Sequence, residues 1–173
     1  TDHKPYGRQD FLQTLGVSVT YPRPVTLWDS PFRLDSSFGI NASHNGSNQN
    51  TYDASQTKFV TDAYSYYSYG LGPSFALAWG ETKRPAYVGA SVKFNRTQYL
   101  GRLAQNSEGI YGNDHQYQDR YIASLSYSYP IAPGFNLKAQ TNFLCARSNQ
   151  NYEKTYQYNY QTSNYLMGFT YEY

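Results

Sequence analysis

The sequence predicts an all-β fold: an antiparallel up-and-down transmembrane β-barrel, with about seven strands in this chain that form part of a larger closed barrel. Seven stretches alternate apolar and polar side chains, the period of a strand whose two faces meet different surroundings. The 173 residues include 21 Tyr and 9 Phe at a mean hydropathy of −0.74. No apolar run approaches the roughly 18 residues of a helical membrane span.

The first two alternating stretches cover residues 11–21 and 32–43. In the first, Val17 and Val19 lie on one face of the predicted strand, and Ser18 lies on the opposite face. In the second, the apolar positions are even-numbered and the polar positions odd-numbered. Each stretch therefore predicts a strand with one greasy and one polar face.

The third stretch, 58–80, allows two interpretations. Gly70-Leu-Gly-Pro73 could be a hairpin turn between two strands, because Pro73 has no donor for a ladder. Alternatively the whole stretch is one long strand, with Tyr67 and Trp79 on a single face. An internal repeat favours the single strand, and hence seven strands in total.

The repeat relates residues 16–79 to residues 124–171. Each copy runs from a strand ending in Tyr-Pro, through a strand starting Phe-x-Leu, into a Ser-Asn-Gln-Asn loop and a stretch of alternating tyrosines. The remaining strands are predicted at 85–96, 117–130, 135–147 and 165–173.

The connections between these strands fall into two classes. Pro-rich links at 22–31, 81–85 and 130–134 would lie at one end of the barrel. Longer polar loops at 44–57, 97–116 and 148–158 would lie at the other end. Short turns that alternate with long loops are typical of membrane barrels.

The last stretch ends the chain on aromatic residues. Tyr165 and Met167 share a face with Phe169, Tyr171 and Tyr173. With Gly168 ahead of them, these residues resemble the C-terminal assembly signal of Gram-negative outer-membrane β-barrel proteins; the terminal Tyr173 departs from the usual Phe or Trp. The resemblance implies the bacterial outer membrane, contact with its lipids and lipopolysaccharide, and the barrel-assembly machinery as a partner.

Seven strands would put the two ends of the chain on opposite sides of the membrane. Single-chain bacterial barrels have even strand counts. We therefore expect residues 1–10 to be the tail of an extracellular loop and residues 11–173 to be a transmembrane barrel segment, with the remaining strands or other subunits completing the barrel.

The polar faces of the predicted strands carry small residues and a few charges. Small side chains would leave voids in a narrow barrel but can line water in a wider one. The charges would either orient polar solutes or pair with one another inside the barrel. The residues predicted to line the lumen are Arg33, Asp35, Lys93, Arg120, Lys138 and Glu172.

The sequence offers little for other chemistry. Lys and Arg are scattered at a net charge of +2, which argues against a nucleic-acid partner. The histidines predicted to lie in loops, such as His44 and His115, have no neighbouring residues at a spacing that would position a nucleophile. Cys145 is the single cysteine, so the sequence has no internal disulfide and no cysteine cluster for a metal. We expect no enzyme activity, catalytic residue, metal or cofactor.

The pattern thus predicts a non-enzymatic outer-membrane channel or export conduit for polar solutes or polymers. The alternative is a membrane-embedded anchor or surface adhesin with a closed lumen and functional loops. Tyrosines at 64–69 and 156–160 could form a sugar-stacking surface, or they could be cross-strand pairs and members of an interfacial girdle.

Overall fold

The computed structural model describes residues 7, 9–54, 57–81, 83–154 and 156–171. Seven of nine strands form one antiparallel sheet, in the order β1-β2-β5-β6-β7-β8-β9, and β3 and β4 form a small hairpin in the loop after β2. Within these residues there is no helix with the length and hydropathy of a membrane span. The strands are β1 (Asp10–Leu27), β2 (Ser30–Ser47), β3 (Thr51–Asp53), β4 (Lys58–Val60), β5 (Tyr66–Glu81), β6 (Arg84–Gln105), β7 (Tyr111–Ala132), β8 (Phe135–Ser148) and β9 (Tyr160–Tyr171).

The prediction of seven up-and-down strands is confirmed, and β5 runs through Gly70 and Pro73 without a turn. Pro73 pairs with Phe38 of β2, whereas the β5–β6 ladder omits Gly72 and Pro73 between two regular pairs. A proline interrupts one ladder locally because it lacks only a donor. The stretch before Tyr66 is not part of this strand, since β4 ends at Val60 and a turn follows.

Two predicted connections are wrong. The 22–31 link is strand up to Leu27, because β1 pairs with β2 through Pro22 and Pro24 and turns only at Trp28-Asp29, where φ is 50° and 58°. Pairing through two prolines requires their nitrogens to face away from β2, which an edge strand tolerates. The predicted loop at 97–116 is mostly strand, since β6 ends at Gln105 and β7 begins at Tyr111.

The register of the sheet sorts its side chains onto two faces. Odd-numbered residues of β1, β5, β7, β8 and β9 share one face with even-numbered residues of β2 and β6, and together they define the apolar face. The remaining positions define the polar face. One row of the apolar face contains Val17, Ile40, Leu71, Phe94, Tyr121 and Cys145.

The sheet has no packed core of large side chains. Among the described residues, the buried hydrophobic ones are Val60 and five alanines, and no large side chain is fully buried. Bulky residues of the apolar face are open instead: Leu15 is 72% exposed and Met167 is 75% exposed. A single sheet layer must cover its apolar face with something outside itself.

The internal repeat has a structural counterpart in the Ser-Asn-Gln-Asn loops. Asn48 accepts from the Gln9 amide at 2.8 Å and donates to the Gly7 carbonyl at 3.4 Å. Asn149 likewise accepts from the Tyr117 amide at 2.8 Å and donates to the His115 carbonyl at 2.9 Å. In both copies the asparagine follows one strand of a hairpin, and its side chain continues the pairing with the other strand, which is β1 in the first copy and β7 in the second.

Close backbone approach at Gly72 gives a stability prediction. A Cβ at Gly72 would lie 2.2 Å from the carbonyl oxygen of Val92, whereas at Gly16 it would find 3.8 Å to the nearest atom. We expect Gly72→Ala to destabilise the protein by about 1–3 kcal/mol and Gly16→Ala to change it by less than about 0.5 kcal/mol. Denaturant unfolding in detergent, followed by circular dichroism, would measure both; equal stability of the two variants would contradict the described β5–β6 packing.

Candidate functional site

Five of the predicted lumen residues lie on the polar face, and Glu172 lies outside the described residues. Arg33 pairs with Asp35 at 3.0 Å near the turn end of β2. Lys93 and Arg120 lie together near the middle of the sheet, and Lys138 stands apart beside Gly168 of β9. That these residues line a lumen stays a prediction.

Lys93 and Arg120 border a cavity of about 410 Å³ on the polar face. Its floor includes Gly16 and Gly39, where missing side chains leave room, and Gly72, where the backbones approach closely. An Arg120 amino group donates to the Asn95 side-chain oxygen at 3.4 Å, while the Arg120 Nε is buried with no partner. The arrangement presents cationic donors to a shallow polar groove.

A bulge at the loop end of β6 forms a second feature. Gln98 pairs with Tyr117 and Leu103 pairs with His115, so four residues of β6, from 99 to 102, lie opposite Gln116 alone. Bulges of this kind re-aim side chains and concentrate beside functional sites. Gln116 is 4% exposed, and its Nε2 has no hydrogen-bond partner.

Around this bulge lies a cleft in two lobes, which we call the loop-end cleft. Arg102, Gln116 and Tyr158 line both lobes, whose volumes are about 280 and 240 Å³. The larger lobe shares Tyr99 and Gln118 with a pocket that reaches Arg120, so the cleft continues onto the polar face. The other lining residues are Thr51, Val60, Tyr64, Leu103, Gln105, Tyr111, Gln150 and Tyr156.

Aromatic rings hold Arg102 in place. Its guanidinium carbon lies 4.4 Å from the Tyr99 ring centre and 4.9 Å from that of Tyr64. Its Nε also donates to the Ala63 carbonyl. The turn carrying Ala63 lies against Gly101, where a Cβ would be 1.9 Å from the Thr61 carbonyl oxygen. The glycine therefore allows the turn to approach β6 and fix the arginine.

The smaller lobe of the loop-end cleft is bonded to the β3–β4 hairpin through Tyr111. The Tyr111 hydroxyl donates to the Asp53 carboxylate, and the Lys58 ammonium lies 4.5 Å from the Tyr111 ring centre. Burial first, and then the bond to Asp53, raise the pKa of Tyr111 to about 12. The phenol therefore keeps its proton at neutral pH and remains a donor.

The loop after β8 carries two of the cleft tyrosines and is ordered by Glu153. The Glu153 Oε1 accepts from the Tyr158 amide at 2.9 Å, from the Asn159 amide at 2.8 Å and from the Asn159 side chain at 3.0 Å. Tyr156 packs edge-on against Tyr158, with ring centres 4.9 Å apart. One carboxylate thus positions the aromatic wall of the cleft.

On the apolar face, the rows of apolar side chains end at an ion pair near the loop end of the sheet. Arg96 and Asp119 meet through two bonds of 2.6 Å, one row beyond Phe94 and Tyr121, and the Arg96 guanidinium lies 4.4 Å from the Tyr117 ring. At the opposite end, Phe135 packs against Phe169 and Tyr171 of β9. Of the predicted assembly signal, Gly168, Phe169 and Tyr171 are strand residues of β9, and Tyr173 lies outside the described residues.

Sequence reasoning noted Tyr64, Tyr156 and Tyr158 of the cleft, but not Tyr99 and Tyr111, and it missed Arg102 and Gln116. Both fall in the stretch 97–116, which was predicted to be a loop. The bulge breaks the period-two pattern there, so no alternation could indicate which side chains converge. A pairing between strands far apart in the chain decides it.

Comparisons with protein-family models, with curated proteins and with solved structures found no match to this chain. In the part of the chain that the structure describes, no group of three or more His, Cys, Asp or Glu side chains is arranged to hold a metal ion.

The Glu153 bonds predict a pH-dependent loop. The Asn159 amide, then the Asn159 side chain and the Tyr158 amide, hold the pKa of Glu153 below its ordinary value. A lowered pKa means that the stabilisation is present above the ordinary value and is lost as pH falls through the lowered one. We therefore expect the hydrogen-exchange protection factors of the Tyr158 and Asn159 amides to stay level above the ordinary pKa of a glutamate and to fall as pH drops below it.

Two variants control this experiment. Glu153→Gln should abolish the pH dependence of protection, because no carboxylate remains to titrate. Glu108→Gln, at an exposed glutamate in the β6–β7 turn, should preserve it. A Glu153→Gln protein that keeps the full pH response would show that another group orders the loop.

Proposed function

We propose that the protein is an integral outer-membrane β-barrel that acts as a channel or export conduit for polar solutes or polymers. The observation that carries the proposal is the combination of an exposed apolar face with a polar face in a sheet that lacks a core of large side chains in its described part. In water such a face would aggregate. In a bilayer it would be covered by lipid, with the other face turned to an aqueous lumen.

The extent of the apolar face fits a bilayer. In β6 the apolar positions from Ala86 to Phe94 span nine residues, between the turn at one end and the Arg96–Asp119 pair at the other. A transmembrane strand needs about 9–11 residues. Arg23 also lies on this face, near the turn end of β1, where a long side chain can reach the polar interface.

Barrel closure requires further strands. In the described sheet β1 pairs only with β2 and β9 only with β8, which leaves two edges of unpaired backbone groups. Unpaired groups of this kind cost several kcal/mol each in hydrocarbon. A larger closed barrel, completed by remaining strands or other subunits, would satisfy them.

The internal repeat indicates where one further strand would lie. In the second copy, the Gln150 Oε1 accepts from the Gln105 amide of β6, the strand beside β7, at 2.7 Å. The equivalent Gln49 Oε1 in the first copy is buried and has no partner. By the symmetry of the repeat, its missing donor belongs to a strand paired with the free edge of β1.

The polar face favours transport of anionic or neutral polar solutes. From the middle of the sheet to its turn end the described charges are Lys93, Arg120 and Lys138, beside the Arg33–Asp35 pair, which cancels locally. Asp10 and Asp114 lie at the loop end of β1 and β7. The excess of positive charge would raise the local concentration of anions. Around these charges, glycine, serine and asparagine leave space for water.

A second candidate is the membrane anchor or surface adhesin. The loop-end cleft favours it, because the loops are folded into a defined site. In that case the lumen would be closed and the protein would not conduct.

Membrane insertion can be tested with two neighbouring positions of β6. Val92 lies on the apolar face and Ser91 on the polar face. In a Cys145→Ser background, a nitroxide on Val92→Cys should be relaxed preferentially by oxygen, which is lipid-soluble. A nitroxide on Ser91→Cys should instead be relaxed preferentially by a water-soluble nickel chelate. The same aqueous accessibility at both positions in lipid vesicles would contradict the proposal.

Conduction can be tested with the full-length protein in planar bilayers. We expect discrete current steps with anion preference, and we expect Lys93→Glu to lower the chloride-to-potassium permeability ratio roughly twofold. Lys83→Glu, at the exposed β5–β6 turn, is the matched control and should leave the ratio unchanged. Membrane insertion without any current steps would exclude the channel and favour the anchor.

A further inference from the structure

We infer that the loop-end cleft is a glycan-binding site, with Gln116 as its central hydrogen-bond donor and with Tyr99, Tyr156 and Tyr158 as its aromatic walls. The inference starts from Gln116 Nε2, a buried amide with no partner. Such a group costs about 1–3 kcal/mol unless a partner is supplied. A ligand hydroxyl in the cleft would supply that partner.

The bulge explains why the protein itself supplies no partner. Because residues 99–102 of β6 swing away opposite Gln116, the space that a regular strand would fill is opened. Both lobes of the cleft meet at Gln116, so its side chain borders the open space on either side. Arg102, fixed by Tyr64 and Tyr99, adds guanidinium donors on the same wall.

The chemistry of the lining selects a sugar. A pyranose ring presents C–H groups on its faces and hydroxyls around its rim. Tyrosine rings stack on apolar faces and also hydrogen-bond at their hydroxyls. Side-chain amides both donate and accept, as hydroxyl groups require. Gln105 and Gln150 bond to one another, and the Gln118 Nε2 donates to the Tyr158 carbonyl. Among these lining amides, the donor without a partner is therefore the Gln116 Nε2.

The size and exposure of the cleft restrict the ligand further. Lobes of about 280 and 240 Å³ lie just below the ~300 Å³ at which pockets for drug-sized ligands begin, which suits one sugar unit in each lobe. The exposed Tyr156 leaves the outer side open for a longer chain. A lipid tail would need an aliphatic floor, and Val60 and Leu103 are the aliphatic residues that line the cleft.

The inference goes beyond the proposed function, because the cleft is built by loop and strand-end residues and does not require an open lumen. Since the cleft continues toward Arg120, a bound glycan would lie at the loop end of the polar face. Glycan binding and conduction can therefore be measured separately, and either can fail alone.

Calorimetric titration of the full-length protein in detergent tests the site. The probes are maltohexaose, cellohexaose and hexagalacturonic acid, which differ in ring geometry and charge. We expect at least one to bind. Gln116→Glu, which keeps the shape but replaces the donor by an acceptor, should raise its Kd about tenfold. Tyr158→Ala should raise it to a similar degree.

Matched controls are Gln98→Ala and Tyr52→Ala, at exposed residues outside the cleft lining, which should leave Kd unchanged. Circular dichroism would verify that each variant keeps its β content. The inference is overturned if none of the three glycans binds the folded wild-type protein, or if Gln116→Glu and Tyr158→Ala both bind as wild type does. Binding without conductance would leave the glycan site standing and refute only the channel.

Discussion

An antiparallel ladder lets only every second residue point to a given face, and the rest of this structure depends on that constraint. Six successive pairings keep the bulky positions of seven strands in common rows. Val17, Leu71 and Phe94 therefore join a continuous surface although they lie far apart in the chain. Had one strand slipped by a single residue, its apolar side chains would have moved among serines and asparagines.

That constraint also explains how the sheet uses small residues. Glycines on the polar face permit backbone approach at Gly72 and leave the cavity beside Lys93 and Arg120. Large side chains there would fill the groove, as they do inside the narrowest barrels. The charged groups lie in polar surroundings. In the membrane setting proposed above, lipid would cover the opposite face, and stability would depend on the surroundings more than on an internal core.

The loop end follows different rules from the sheet. Asparagine side chains extend β1 and β7, Glu153 bonds to the amides of Tyr158 and Asn159, and a bulge in β6 opens space beside Gln116. The asparagine and Glu153 contacts are hydrogen bonds between side chains and backbone, which build defined shapes without a hydrophobic core. A rigid scaffold that carries an irregular, well-bonded end is how binding sites are commonly placed on β proteins.

The sequence alone determined the strand number and the two faces, because period-two alternation is a local signal. It also indicated that Gly70 to Pro73 continue one strand, through the internal repeat. It failed at Pro22 and Pro24, since the pairing of both prolines with β2 is decided by a neighbouring strand and not by local composition. The tertiary structure alone decided the surroundings of Arg102 and Gln116, because residues distant in the chain meet there and the bulge erases the periodicity. It also decided the bonds of Glu153, which lie within one irregular loop that carries no periodic signal.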